Sequence, residues 1–158
     1  MIIKIYEVQD CLTEEKIASI EKKLGIDFPI EYRVFILQNN GGWPEPDGFD
    51  ISWREDQECG KHWRTSSVSR FLSIDASQNA DFLKYNLTTF KGRVPKDTIA
   101  IAHDPCGNLI LLGVAGEYVG NILFWVKDYE CEEGEVPSYD NVGLLADSLV
   151  EFINKKLR

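Results

Sequence analysis

The sequence predicts an α+β fold, a mostly antiparallel sheet packed by an N-terminal helix pair, a middle helix and a C-terminal helix, and three observations predict it. Helix signals with explicit starts and stops fill Leu12 to Gly42. From Thr98 to Val126 the pattern changes to short apolar runs joined by turns rich in Gly, Asn and Pro. No repeat, linker or low-complexity stretch divides the 158 residues, so residues 1–158 read as one domain. A chain of that size can bury roughly 68–70% of its unfolded surface, enough for an ordinary core.

In the leader, Ile3, Ile5 and Val8 alternate with polar residues and predict a short strand. Thr13 is the expected cap of the first helix, with Glu14 and Glu15 placed against its dipole, Ile17, Ile20 and Leu24 on its buried face, and Gly25 as its stop. Phe28-Pro29 turns the chain into a second helix. Pro29 suits its first position, where a missing N–H costs nothing, and Asn39, Asn40, Gly41 and Gly42 end it. Ile30, Val34 and Leu37 predict its packed stripe, broadened by Tyr32, Phe35 and Ile36. Phe49 to Trp53 and Val68 to Ile74 alternate as strands, and Asp75 or Ser77 is the expected cap of a helix carrying Ala80, Leu83 and Leu87. Ile99 to Ala102 and Leu109 to Leu112 flank the turn HDPCGN as a hairpin, and Ile122 to Val126 supplies a third strand after Gly116 to Gly120. Their near-continuous apolar character predicts the centre of a sheet covered by helices. Val142, Leu145, Leu149, Phe152 and Ile153 predict a terminal amphipathic helix with Lys155, Lys156 and Arg158 at its C-terminal end.

Composition narrows the function classes. Seventeen basic against 26 acidic residues give a net charge of -9, which disfavours binding of phosphate backbones and favours a basic partner. No basic start precedes a long apolar run, and no window approaches the roughly 18 apolar residues of a membrane helix, so a soluble, cytoplasmic chain without a membrane or nucleic-acid partner is expected. Four cysteines at 11, 59, 106 and 131 are too irregularly spaced for a small disulfide scaffold and read as free thiols.

Four blocks, Leu12 to Pro44 (LTEEKIASIEKKLGIDFPIEYRVFILQNNGGWP), Pro95 to Val114 (PKDTIAIAHDPCGNLILLGV), Gly120 to Glu130 (GNILFWVKDYE) and Leu145 to Leu157 (LADSLVEFINKKL), resemble in their succession the SUKH superfamily. That superfamily includes fungal cell-wall-assembly regulators and bacterial toxin-immunity proteins. The leader MIIKIYEV and the Trp- and Cys-containing segment Ile51 to Arg64 stand outside the pattern. The resemblance implies a non-enzymatic protein-binding domain. Among bacterial members the implied role is an intracellular immunity protein that neutralises a cognate polymorphic toxin, such as a nuclease, by direct binding. The fungal relatives imply instead a regulatory scaffold for protein or peptide clients.

Residue patterns that would carry catalytic or metal chemistry are sparse. Cys59-Gly-Lys-His62 and His103-Asp-Pro-Cys106 place two Cys/His pairs at ligand-like spacing for a Cys2His2 zinc site. Structural zinc anchors core-poor modules, however, and this chain has apolar residues enough to fold unaided, so turn chemistry is the preferred reading and no cofactor is expected. Gly113 to Gly120 lacks the Lys-Ser/Thr of a phosphate loop and joins strand to strand. No spacing selects a nucleophile with its base or a pair of carboxylates, so an enzyme is not expected.

Two features predict recognition of a protein, most naturally a basic toxin domain. Trp43 sits in the proline-stiffened turn Trp43-Pro-Glu45-Pro-Asp47, where an indole can serve as a low-entropy anchor beside two carboxylates, although a Trp at a helix end also folds back on a core. Asp128, Glu130, Glu132, Glu133 and Glu135 form an acidic loop, which a solvated surface explains equally well. Trp53 and Trp63 bracket a further mixed-charge loop and are expected in the core.

Overall fold

The computed structural model describes residues 3–58, 60–75 and 80–158. Strand β1 (Lys4–Tyr6) forms in the leader as expected. Helix α1 (Glu14–Leu24) starts at Thr13, whose hydroxyl oxygen accepts from the Lys16 N–H, and stops at left-handed Gly25 (φ 69°), whose N–H donates to Glu21. Helix α2 (Ile30–Gln38) begins one residue later than expected, because Pro29 stands as its cap with extended backbone rather than inside its first turn.

The packed stripe of α2 differs from the expected one. Tyr32, Phe35 and Ile36 are buried, whereas Ile30 is 70% and Val34 46% exposed. Aromatic area decides the rotation. Phe28 packs edge-on against Tyr32 (5.1 Å) and Phe82 (5.9 Å), and Phe35 lies 4.9 Å from Phe71, so turning Ile30 and Val34 inward would expose rings that bury far more surface.

The principal sheet is antiparallel, in the order β5 (Arg70–Phe71), β6 (Thr98–His103), β7 (Leu109–Gly113), β8 (Ile122–Trp125) and β9 (Val142–Ala146). Every residue of β7 and β8 is buried, because both faces are covered. Phe124 meets Phe49, which packs in turn on Phe152, on one face, and Trp125 meets Phe90 on the other. Strand β6 bulges between Ala100 and Ala102, and the Asn86 side chain pairs there in place of a strand. Its Oδ1 accepts from the Ala100 N–H (2.8 Å) while its Nδ2 donates to the Ala100 carbonyl (3.0 Å).

Two small ribbons flank this sheet: β1 with β2 (Trp43–Glu45), and β3 (Gly48–Asp50) with β4 (Thr65–Ser67). Gly42 bridges to Phe71 beside one edge of the sheet and Ser52 to Leu144 beside the other. The runs Phe49 to Trp53 and Val68 to Ile74, expected as whole strands, are therefore strand fragments interrupted by bridges. The middle helix α3 (Phe82–Lys84), continued by a π-turn through Thr89, is capped by Asp81 rather than Asp75, which pairs with Lys16 instead; Ser77 lies outside the described residues. The C-terminal helix α4 (Leu149–Glu151), continued by a π-turn to Lys156, is shorter than expected. Val142 to Ala146 is sheet, and Ser148 caps α4 by accepting from the Glu151 N–H.

Beneath α2, the Tyr32 hydroxyl is buried without a hydrogen-bond partner among the described residues. Burial pushes its phenol well above the ordinary tyrosine range. Replacing Tyr32 with Phe removes that desolvation cost and should raise stability by about 1 kcal/mol at neutral pH. A folded-state value above the unfolded value of about 10 gives stability that is present below pH 10 and lost above it, at about 1.4 kcal/mol per pH unit. The alkaline limb of Tyr32→Phe should accordingly be shallower by one proton, Tyr85 and Tyr139, also raised by burial, keeping a residual slope. Urea midpoints at pH 7 and pH 11 check both effects.

Candidate protein-binding surface

The β1–β2 ribbon presents the indole. Gly41 and Gly42 both have positive φ (79° and 94°), and a Cβ on Gly42 would meet the Tyr6 carbonyl oxygen, so only glycine lets the chain leave α2 and lie under β1. The register then sets Tyr6 opposite Trp43 and Lys4 opposite Glu45. Tyr6 and Trp43 stack at 4.5 Å with 23° between their planes, and the Tyr6 hydroxyl donates to Glu45 Oε2 at 2.9 Å. That hydrogen bond to a carboxylate raises the Tyr6 phenol above its ordinary value. Trp43 is thus half-buried on a surface ring rather than folded back onto the core, with Glu45 and Asp47 exposed beside it. Sequence reasoning missed Tyr6, because a stacking partner lying across a helix pair leaves no local pattern.

The acidic loop leaves β8 through a turn at Lys127–Tyr129. Asp128, Glu132, Glu133 and Glu135 are exposed, and the loop is tightened where the Glu135 N–H donates to the Glu132 carbonyl. Glu130 has a different task. It accepts from Arg93 Nε and Nη2, both at 2.8 Å, a bidentate pair that ties the loop to the segment before β6 and raises the guanidinium pKa further. The two predicted clusters make different contacts: Trp43 stacks on Tyr6 of β1, and the acidic loop meets Arg93 and, through Tyr129, His62 (5.5 Å).

Of the zinc alternative, Cys59 lies outside the described residues. His62 is exposed, His103 Nδ1 lies 3.0 Å from the Asp104 carbonyl oxygen, and Cys106 is exposed on the hairpin turn. Among the described residues no group of three or more His, Cys, Asp or Glu could hold a metal. Trp53 and Trp63 are half-buried against the core, and Trp53 Nε1 donates to the Trp63 carbonyl at 2.8 Å. A cleft of about 480 Å³ beneath the 90–98 loop is lined by apolar side chains with Lys91, Lys96, Asp97 and Tyr139 and contains neither His nor Cys. Among the described residues no helix is long and apolar enough to cross a membrane.

The described residues therefore make an α+β protein whose distinctive exposed groups are indole, phenol and carboxylate. Residues 11–155 match the SMI1 / KNR4 family (SUKH-1), and the chain belongs to that family. The matched span begins after the leader and runs through Ile51 to Arg64, the segment that stands outside the resemblance seen in the sequence. The chain is also similar to the SPbeta prophage-derived uncharacterized protein YokK of Bacillus subtilis (strain 168). The two are 25% identical over 150 residues, which cover 89% of this chain and 72% of that protein. No solved structure matches the chain.

Proposed function

We propose that this protein is a cytoplasmic immunity protein that neutralises a cognate toxin by direct binding, without catalysis. Family membership supports a toxin-immunity or related protein-binding role. The observation that carries the finer reading is the exposed Tyr6–Trp43 stack with Glu45 and Asp47 beside it on a chain of net charge -9. An indole held flat by a neighbouring ring loses little entropy on contact, and its face attracts a cation that the adjacent carboxylates also attract. A nuclease toxin is basic where it holds phosphates, so it offers the complementary surface, and opposite net charge speeds the encounter. The exposed carboxylates of the 128–135 loop add to that steering.

Co-expression with a toxin domain encoded beside this gene should restore growth, and the purified pair should bind with an on-rate that falls as salt rises. Trp43→Ala should weaken the complex by about 2 kcal/mol, roughly 30-fold in Kd, by calorimetry. Failure of every adjacent toxin domain to bind or be neutralised would remove the immunity reading and leave a regulatory scaffold for protein clients.

A further inference from the structure

None of the residues that line the cleft beneath the 90–98 loop belongs to the Tyr6–Trp43 patch or to the 128–135 loop. Its apolar walls come from Leu24 and Ile26 on either side of the α1 stop, from Phe90 and Ile99, and from Val136 with Pro137. At about 480 Å³ it has the size of a small-molecule site. Two of its polar lining groups are already spent inside the fold. Asn86 accepts from the Ala100 N–H and donates to the Phe82 and Ala100 carbonyls, and the Thr98 hydroxyl donates to the Pro95 carbonyl at 2.7 Å. A sugar or a base finds no hydrogen bonds from these groups. Nor can a peptide add here as a strand, because Asn86 holds both backbone groups of Ala100 and the Thr98 N–H goes to Pro95.

The groups left uncommitted are cationic. Lys91 and Lys96 line the cleft and are exposed, and among the described residues neither forms an ion pair, on a chain of net charge -9. Neighbouring Arg93, by contrast, is taken by Glu130. Asp97 is the one acid among the lining residues; its Oδ2 lies 2.9 Å from where a Cβ on Gly116 would stand, and after burial its charge helps to raise the Tyr139 phenol. We propose that this cleft binds a small amphipathic acid, an aliphatic chain ending in a single carboxylate, with the chain against the apolar walls and the head group at Lys91 and Lys96. An exposed lysine holds a carboxylate weakly, so the chain supplies most of the affinity and the lysines choose the sign of the head group. Asp97 repels a second carboxylate, which disfavours a dicarboxylate.

Calorimetric titration of the purified full chain with hexanoate, octanoate and decanoate, below the concentrations at which they form micelles, tests this. No toxin is present, so the outcome is independent of the immunity reading. Binding should saturate at one site and tighten by about threefold to fourfold for each added methylene. Octanol should bind more weakly than octanoate, and octyltrimethylammonium should not bind. Replacing both lysines (Lys91→Met with Lys96→Met) should weaken decanoate by about fivefold and leave octanol unchanged. Val136 is 87% exposed, so Val136→Asp should fold normally by circular dichroism and still weaken decanoate by at least about tenfold, through a like charge at the wall. The head-group comparison on the parent protein decides even where a variant unfolds. Absence of decanoate binding up to millimolar concentration, equal binding of octanoate and octyltrimethylammonium, or a decanoate affinity indifferent to the lysine and Val136 variants overturns the proposal. An acidic, leucine-containing peptide that binds through the two lysines where decanoate does not overturns it as well.

Discussion

Asp104→Ala should cost roughly 4 kcal/mol of unfolding free energy, since it leaves several buried donors without an acceptor. The Asp104 side chain, on a residue only 1% exposed, accepts four hydrogen bonds in the β6–β7 turn. Oδ1 takes the Cys106 and Asn108 N–H groups (2.9 and 2.8 Å), and Oδ2 takes the Ser66 hydroxyl and Asn108 Nδ2 (both 2.9 Å). Asn108 passes the organisation on, because its Oδ1 accepts from the Lys127 N–H at the root of the acidic loop. One carboxylate therefore holds the hairpin turn, β4 and the exit of β8 in register. Asp104→Asn should lose less than alanine but remain well below the parent, because its Oδ1 still accepts the two backbone N–H groups and its NH2 can donate to the Ser66 oxygen, while Asn108 Nδ2 is left facing a second donor. Ser66→Ala removes one donor with its hydrogen bond and should cost about 1 kcal/mol. Urea unfolding of the three variants gives the order directly, and an asparagine variant as stable as the parent would refute the account.

The turn at Asp104 illustrates how much of this protein is legible in its sequence. HDPCGN announces a turn through Pro and Gly, and the apolar runs on either side announce central strands; both are local patterns, and both are found. Thr13 and Gly25 likewise mark the ends of α1 because capping is a matter of adjacent backbone groups. What the sequence hides is anything decided by a distant partner. Val142, Leu145 and Leu149 fit a helical spacing as well as a strand, and only pairing with β8 makes the first two sheet. In α2 apolar residues surround the axis, so periodicity cannot say which side packs, and Phe28, Phe71 and Phe82 decide it from outside. The candidate surface divides in the same way. Trp43 stands out as a rigid surface residue, but Tyr6 beneath it is invisible, and Glu130 is indistinguishable from its acidic neighbours until Arg93 claims it.

Glu21→Ala should destabilise the protein by roughly 3–5 kcal/mol, a far larger effect than a helix-surface glutamate ordinarily carries. Glu21 is 7% exposed, at the corner between α1 and α2. Its Oε2 accepts from the buried Phe28 N–H at 2.7 Å, and its Oε1 receives Arg33 Nη2 from the first turns of α2. The same Arg33 reaches exposed Glu14 at 2.9 Å. Removing Glu21 strands a buried backbone donor and leaves the partly buried Arg33 guanidinium with exposed Glu14 alone, so the corner between the two helices loses its buried clasp. The consequence extends to the surface, because α2 delivers the chain through Gly42 to Trp43 and carries Ile30 and Val34. Glu21→Gln should recover about half the loss, since an amide oxygen still accepts from Phe28 while the charge pairing with Arg33 is gone. Glu14→Ala should cost under about 1 kcal/mol, because an exposed ion pair contributes little. Thermal and urea melts of these three variants separate a buried clasp from a surface charge effect: equal losses for Glu14 and Glu21 would show that long-range charge, not the Phe28 and Arg33 contacts, governs the corner.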